Sequence, residues 1–560
     1  MSNPALLLIL GAAPVPLLRG RWRGAWLVLL PLAGLVLLWQ LPEGTAAGFE
    51  LFGLALEPVR VDKLSRVFAT AFLVAALTFV IYALHLRDSV QQAALLVYAG
   101  TAVGGALAGD LLTLFVFWEL AGVASVFLIW TRRTGRSYRA GLRYLTAQVI
   151  SGLLMLAGIA LHVADGHGIA FDYLGLDGPG GVLILLAIGI KCGFPVLHAW
   201  LTDTYPESTV VGAVVLSAFT TKLAVYTLAR GYPGTEQLVW VGAVMTVFPI
   251  FYAVIENDLR RVLAYSMINQ LGFMVVGVGI GGAIGINGAA AHAFADILFK
   301  GLLFMSMGAV LLRTGTTNGS ELGGLYKSMP QTAALCLVGA ASISAFPLFS
   351  GFATKSMIME GVASDHRLLI WLMLLFASAG VFHHAGIKIP FFAFFAHDRG
   401  WRVAEAPLNM RVAMGLAAAA SITIGVAPGL LYGILPYPVD YVPYTVPHVV
   451  NQLQLLLLAS MAFTVLIRTG LYPPELRSVN LDADAVYRKL LPGGWRAAVR
   501  VVERLRERLT LPLRRGAGGV LAVAARPVRP GGWLAVPWST DAMVWWVAFL
   551  LGLLILLALF

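Results

Sequence analysis

Residues 185–200, LLAIGIKCGFPVLHAW, place a charge in the middle of an apolar stretch and follow it with residues that interrupt a helix. The charge is Lys191, and the interrupting residues are Gly193 and Pro195. A charge at the centre of a bilayer costs at least ~2.5–3.5 kcal/mol, so it faces a bundle interior or a wet cavity. Freed backbone carbonyls are tolerated at that depth only where they line a cavity. The stretch therefore predicts a membrane helix broken beside a buried cation.

The whole chain has the composition of a membrane protein. Of its 560 residues, 59% are hydrophobic and 12% are charged, and the mean hydropathy is +0.83. A soluble chain carries about 25% charged residues. The apolar stretches are 4–18, 24–41, 64–85, 92–109, 111–130, 144–164, 181–200, 209–229, 238–255, 262–281, 286–312, 331–350, part of 354–395, 409–434, 452–468 and 541–560. They predict an all-α polytopic membrane protein with roughly 14–16 transmembrane helices.

The net charge of +11 comes largely from arginines between the apolar stretches. The loop 131–143 carries five arginines and the loop 256–261 carries two, whereas the loop 165–180 is acidic. By the positive-inside rule every second loop is cytoplasmic, which puts the N-terminus outside. The first arginine cluster follows the stretch 4–18, so this stretch is expected to be a retained helix. Since the arginines cluster in the loops between apolar stretches, as the positive-inside rule predicts, no nucleic-acid partner is expected.

The sequence gives no indication of a cofactor. Cys192 and Cys336 each lie in an apolar stretch, no CxxC occurs, and they are expected to be buried small side chains. There is no Walker A motif and no GxGxxG that opens a helix. We therefore expect neither a cofactor nor a metal, and any energy input must come from an ion gradient or a partner.

Ionisable side chains inside the apolar stretches are the candidate proton carriers. They are Glu119, Lys191, Lys222, His292, Lys300 and Lys355. The alternative is a set of fixed ion pairs that join helices. Lysine suits a relay because desolvation lowers the pKa of a lysine from about 10.4 towards neutrality, whereas arginine stays charged. Glu119 and Lys191 are expected to pair, since each would hold the other ionised.

Two further groups extend this polar pattern. His292, Asp296 and Lys300 are four residues apart and share one helix face, where Asp296 is expected to hold His292 charged. His383 and His384 are neighbours and, with Lys388 nearby, either extend the polar line or face the cytoplasmic headgroups. The sequence leaves these two alternatives open.

A second apolar stretch is interrupted in a similar way to the first. In SAFPLFSGFATK, residues 344–355, Pro347 is followed by Gly351 and Lys355. Paired interrupted helices indicate an internal repeat with sites at the interruptions. The two interruptions lie about five helices apart, which predicts two five-helix units.

The chain divides into five predicted segments: N-terminal helices 1–90, an ion-carrying core 91–400, further core helices 401–468, a surface segment 469–540 and a final transmembrane helix 541–560. Within the fourth, residues 488–515 combine many arginines with apolar residues at helical spacing. This pattern predicts a basic amphipathic helix on the cytoplasmic face that binds anionic lipid. Pro-Gly stretches at 492–494 and 527–532 are expected to bound it.

Four stretches resemble the antiporter-like subunits shared by Mrp-type cation/proton antiporters and respiratory complex I, the proton-conducting membrane transporter family. They are FVFWELAGVASVFLIW (115–130), GIKCGFPVLHAWLTDTYPESTVVGAVVLSAFTTKLAVYTLAR (189–230), NDLRRVLAYSMINQLGFM (257–274) and HAFADILFKGLLFMSMGAV (292–310). The resemblance covers about residues 60–400. It implies a fourteen-helix core of two inverted five-helix repeats with discontinuous helices.

The resemblance also implies roles for particular residues. Glu119 matches the family's acid on the fifth helix, Lys191 its partner on the seventh, Lys222 the lysine of the eighth, and Lys355 the residue of the second broken helix. His198 and Asp203 lie in a similar motif, in which Thr202 replaces a proline. His292 and Lys300 match a family helix, but Asp296 stands where a second histidine is usual.

The function implied is that of a proton-translocating subunit of a multisubunit Na⁺/proton antiporter, similar to the component designated D, in a bacterial inner membrane. Its expected partners are other membrane subunits, protons and Na⁺. The alternative is a proton-pumping membrane subunit of a complex I-like NADH dehydrogenase or membrane-bound hydrogenase, in which case the assembly is an enzyme. A non-conducting membrane scaffold is the alternative of another class.

Overall fold

A computed structural model of the chain describes residues 3–51, 53–476, 480–517 and 539–559. The chain divides into two compact units, Met1–Asp482 and Ala483–Phe560. The first unit holds nearly all of the apolar stretches, and its described residues are helical except for one β-hairpin, two isolated bridges and the connecting loops.

The helices of the first unit are α1 (Pro4–Gly11), α2 (Gly20–Gln40), α3 (Lys63–Tyr82), α4 (Ser89–Leu107), α5 (Leu111–Trp130), α6 (Gly135–Ala164), α7 (Pro179–Cys192), α8 (Ala199–Thr204), α9 (Val210–Leu216), α10 (Thr220–Gly231), α11 (Glu236–Ile255), α12 (Leu259–Ile280), α13 (Gly282–Thr314), α14 (Pro330–Ile343), α15 (Ser350–Ser364), α16 (Leu368–Val381), α17 (Leu408–Val426), α18 (Gly429–Tyr432) and α19 (Val446–Arg468). π-Helical turns, Phe382–Lys388 and Phe391–Phe395, continue α16.

Twelve helical segments in the described part of the chain are long and apolar enough to cross a membrane. Two more crossings are made by pairs of short helices, α7 with α8 and α14 with α15. The prediction of a polytopic helical membrane protein with discontinuous helices is confirmed. Helix α1 is shorter than the predicted stretch 4–18, because it ends after eight residues and continues as turns.

Side chains that accept hydrogen bonds from the first turn fix where several of these helices begin. Asp62 and Ser65 form a capping box at α3, and Thr134 and Ser137 form another at α6. Asp110 caps α5 by accepting from the Thr113 amide at 2.7 Å. Each cap satisfies amide groups that would otherwise lack a partner, so it defines the boundary of a spanning helix.

A β-hairpin joins α2 to α3, which the apolar pattern did not predict. Strand β1 (Gly44–Leu51) pairs antiparallel with β2 (Leu54–Val61). The hairpin contacts the start of α5, because the Glu57 amide donates to Asp110 Oδ2 at 2.8 Å. It is therefore attached to the same end of the bundle at which α5 begins.

An internal repeat is visible in two matching loop contacts. Asp110 forms an isolated antiparallel bridge with Ala170, and Asp258 forms one with Asn318. The residue after each aspartate donates its amide to the loop opposite, Leu111 to Ile169 at 2.8 Å and Leu259 to Thr317 at 2.9 Å. The chain crosses the bundle five times between Asp110 and Asp258, as α5, α6, α7–α8, α9–α10 and α11. An odd number of crossings puts the two copies at opposite ends, so the repeats are inverted.

The centre of the first unit is formed by α9–α10, α12 and α13. In the most apolar part of these three segments, 94%, 94% and 89% of the residues are buried, compared with 11% of those in α19. Lys222, Asp296 and Lys300 on these segments are consequently shielded by protein on every side, while α19 presents most of its surface outward.

The second unit contains α20 (Leu491–Ala517), which follows a π-helical turn (Val486–Leu490), and α21 (Thr540–Leu559). A helix therefore runs through the predicted amphipathic segment 488–515. The stretch 492–494 does not bound this helix, because the helical backbone continues through it from the π-helical turn. The stretch 527–532 lies outside the described residues.

Candidate functional site

Both predicted interruptions contain a Phe-Pro pair at the same place in a four-residue break. Gly193-Phe194-Pro195-Val196 follows α7, and residues 345–348, Ala-Phe-Pro-Leu, follow α14. The first residue of each has φ of 77° and 56°, and the last has φ of 71° and 75°, in the left-handed region. In each copy the phenylalanine amide donates to the residue five positions earlier, at 2.9 and 3.0 Å. The two breaks are thus equivalent corners of the two repeats, a resemblance that hydropathy alone did not reveal.

A third interruption separates α9 from α10. The Lys222 ammonium donates to the Ser217 carbonyl at 2.9 Å, within the break. Lys355 likewise donates to the Ile343 carbonyl at the end of α14, at 2.9 Å. Cations at helix C-termini satisfy free carbonyls and complement the negative end of the helix dipole. No proline or glycine marks this third break, so the sequence offered only the hydroxyl residues around Lys222 as a signal.

Lys222 makes its closest contact with Asp296. The Lys222 Nζ and Asp296 Oδ2 atoms are 2.5 Å apart, and both side chains are completely buried. The ion pair joins α10 to α13, across the division between the two repeats. Asp296 was expected to hold His292, its neighbour on α13, so the structure corrects that expectation by giving it a partner from another helix.

His292 is held by neutral groups instead. Its Nε2 lies 3.1 Å from Gln270 Oε1, and its Nδ1 lies 3.0 Å from the Thr354 hydroxyl. Two turns further along α13, Lys300 donates to the Ser266 hydroxyl at 2.8 Å. The polar residues of α12, Ser266 and Gln270, were missed because they are uncharged, and only ionisable side chains were selected from the sequence as candidates.

These residues form one buried cluster, here named the central row. Its members are Lys222, Asp296, His292, Lys300 and Lys355, and none is more than 1% exposed. Asp296 acts electrostatically on Lys300 and Lys355 as well as on its direct partner. The structure thus brings together four of the six predicted site residues around a single acid.

Glu119 and Lys191 do not form the direct ion pair that the sequence predicted. Lys191 Nζ donates to the Trp118 carbonyl at 2.5 Å and lies 4.3 Å from the centre of the Trp118 ring. Glu119 Oε1 is buried without a hydrogen-bond partner in the described part of the chain. The two charges interact at longer range, and Glu119 packs against Gly152 of α6.

The π-helical turn after α16 adds another buried cation, Lys388. Lys388 donates to the carbonyls of Val254 and Glu256, at the end of α11, and forms a 3.0 Å ion pair with Glu475. His384 is also completely buried. Burial of Lys388 and His384 argues against the alternative in which this group faces the cytoplasmic headgroups. That the group extends the polar line stays a prediction.

The segment after α19 places two carboxylates on the bundle. Besides Glu475 on Lys388, Asp482 lies 3.1 Å from His198 Nε2 and accepts from the Tyr265 hydroxyl at 2.7 Å. Burial raises the pKa of Glu475, an effect that the positive charge of Lys388 opposes. These two residues lay in a stretch that the sequence assigned to the membrane surface.

Arg260 also departs from its expected place. It was expected to be a cytoplasmic loop charge, but it is buried and donates to the carbonyls of Tyr205, Ser208 and Thr209. The guanidinium thereby holds the turn between α8 and α9, because its several donors satisfy carbonyls that helix ends leave free.

Both cysteines are free and buried. Among the described residues, no three His, Cys, Asp or Glu side chains lie together in a way that could hold a metal ion.

Comparisons with known proteins agree on one group. Residues 108–382 match the family described as NADH:quinone oxidoreductase/Mrp antiporter, TM. The chain is 29% identical to the D component of the Na(+)/H(+) antiporter of Bacillus subtilis, over 59% of this chain and 70% of that protein. It is 30% identical to the NAD(P)H-quinone oxidoreductase chain 5 of a Picosynechococcus species, over 61% of this chain and 56% of that protein.

Two solved structures have the same fold. A chain of the Mrp complex from Dietzia sp. DQ12-45-1b superposes with a TM-score of 0.77 at 24% identity, covering 95% of this chain and 64% of that chain. A chain of the membrane-bound sulfane sulfur reductase, an archaeal respiratory membrane complex, superposes with a TM-score of 0.72 at 23% identity, covering 99% of both.

Proposed function

Since this chain is an antiporter-like membrane subunit of the family shared by Mrp-type cation/proton antiporters and respiratory complex I, we propose that it carries protons through the central row. The observation that supports this most strongly is the burial of three lysines and a histidine around one acid, Asp296. Such groups are costly in a membrane bundle and mark ion routes.

The hydrogen-bond partners favour a relay over fixed ion pairs. Helix-joining pairs would give each buried lysine its own carboxylate, because an unpaired buried charge is strongly destabilising. Lys300 instead donates to the Ser266 hydroxyl, and Lys355 to a backbone carbonyl. These neutral acceptors suit a lysine that gains and loses its proton.

The proton route is proposed to serve a multisubunit Na⁺/proton antiporter of a bacterial inner membrane, with this chain in the position of the D component. The Bacillus subtilis relative of that designation supports this, since 70% of its length is matched. Partners are then other membrane subunits of the same assembly. The basic residues 488–515 are proposed to contact anionic lipid.

A redox-driven complex is the second candidate. A relative of comparable identity is named an NAD(P)H-quinone oxidoreductase chain. The subunits that co-purify with the intact chain distinguish the two: flavin- or iron–sulfur-containing partners indicate a dehydrogenase, and exclusively membrane partners without redox centres indicate an antiporter.

The replacement Asp296→Asn tests the proposed route. It leaves Lys222 without its carboxylate at the centre of the row, so we expect cation-dependent proton transport in inverted vesicles to be nearly abolished while the protein still inserts. The matched control is Asp398→Asn, which removes a surface ion pair with Lys327 and should leave transport near normal. Normal transport by the inserted Asp296→Asn protein would contradict the proposal and show that protons do not pass through the central row.

A further inference from the structure

We propose that Asn269 and Gln270 of α12 hold His292 as the tautomer protonated on Nε2, so that the transported proton is taken up on Nδ1, which faces Thr354 of α15. This inference rests on the proposed proton route. It assigns positioning roles to two amide residues that carry no charge themselves.

The direction of each hydrogen bond follows from one fixed end. The Thr246 carbonyl of α11 can only accept, so the Asn269 side chain donates its Nδ2 group to it. Asn269 Oδ1 then accepts from Gln270 Nε2 at 2.6 Å. Gln270 therefore presents its remaining atom, the acceptor Oε1, to His292 Nε2 at 3.1 Å. Only a protonated Nε2 makes a hydrogen bond there.

The opposite ring nitrogen is consequently an acceptor when His292 is neutral. The Thr354 hydroxyl lies 3.0 Å from Nδ1 and 3.1 Å from the Ser350 carbonyl, and it has one proton for these two acceptors. When Nδ1 is unprotonated, the hydroxyl donates to it. When Nδ1 gains a proton, the hydroxyl turns to Ser350 and accepts from the ring. No covalent bond to carbon changes, and one proton is added to the imidazole.

The arrangement fixes the side on which His292 exchanges its proton. Nε2 is occupied by the amide chain from α11 and α12, so proton exchange is confined to the α15 side. That helix carries Lys355 immediately after Thr354. The other charged groups that face His292 are Lys222 of α10 and Lys300 and Asp296 of α13. The amide chain itself offers no titratable group to pass the proton on.

The tautomer can be measured without any transport assay. Solid-state NMR of the protein with labelled histidine rings, in the intact assembly in lipid, distinguishes the two neutral tautomers, and the His292 signal is the one absent from His292→Gln. At a pH where the ring is neutral we expect the Nε2-protonated form alone. Gln270→Leu should produce a population protonated on Nδ1. A wild-type ring protonated on Nδ1 would overturn the inference and leave the proposed function standing.

Transport gives an independent readout. In Gln270→Glu the carboxylate still accepts from Nε2 but favours the charged ring, so the midpoint of the transport–pH curve should rise by about 1–3 pH units. Gln331→Glu makes the same charge change at the surface and should leave the midpoint unmoved. A residue that only packs the helix would alter the rate and not the midpoint. An unshifted Gln270→Glu profile with full transport would therefore also overturn the inference.

Discussion

The position of the Glu119 side chain depends on a glycine of the neighbouring helix α6. A β-carbon at Gly152 of α6 would overlap the Glu119 carboxylate, and Gly152 is the residue that leaves room for it. The acid was predictable from the sequence because a charge in an apolar stretch is conspicuous. Its surroundings were not, since they depend on which residue of a separate helix lies opposite.

Gly152→Ala should therefore displace the Glu119 side chain and reduce proton transport several-fold. Alanine is the better helix former by about 1 kcal/mol, so a loss of transport cannot come from weaker helix propensity. Gly415→Ala in α17 is the control, because nothing lies within 4 Å of its added β-carbon. The measurement is proton flux in inverted vesicles at equal protein content. Equal flux in both variants would show that the position of Glu119 does not matter for transport.

Lys300→Arg separates a lysine that releases its proton from one that only carries charge. Arginine keeps the charge but cannot be deprotonated, so we expect a protein that inserts and assembles yet transports poorly. Lys327→Arg, at an exposed ion pair with Asp398, should behave as the parent protein. Parent-level antiport by Lys300→Arg would assign this lysine a structural role.

At the level of helices, the sequence predicted the breaks that contain proline and missed the one that does not. Proline and glycine act locally, so their effect is readable in the chain. The break between α9 and α10 is stabilised by Lys222 and by Asp296 of a distant helix, a tertiary effect. The hairpin was missed for a related reason, because residues 44–61 lie outside any apolar span.

Two truncations test the segment that follows α19. Removing residues 483–560 keeps the contacts of Glu475 with Lys388 and of Asp482 with His198. The shortened protein should therefore retain proton flux when it assembles with its partners. Removing residues 469–560 strips both carboxylates. Since breaking a buried ion pair costs about 3–5 kcal/mol, the shorter protein should unfold at a markedly lower temperature. Thermal unfolding in detergent and flux in vesicles measure the two effects, and indistinguishable truncations would show that these contacts contribute little.

Over the whole molecule, the two repeats have the same backbone arrangement but carry the acidic residue of the candidate site on different helices. Counted from the matching residues Asp110 and Asp258, the position of Glu119 in the first repeat corresponds to Met267 in the second. The acid of the second repeat is Asp296, on the next helix. The fold class and the lysines were predictable from the sequence, whereas this exchange of position became visible only from the matching loop contacts of Asp110 and Asp258.

The single acid of the central row limits how many protons the row can hold at once. With one lysine protonated, the row is electrically neutral, because Asp296 balances one positive charge. Each further proton on Lys222, Lys300, Lys355 or His292 adds an uncompensated charge in the buried interior, which is strongly unfavourable. The central row therefore holds one proton stably. Binding of a second proton at one end favours release of a proton at the other end. A neighbouring protein that moves a single cation towards either end can then drive a proton along the row without contacting the residues of the row.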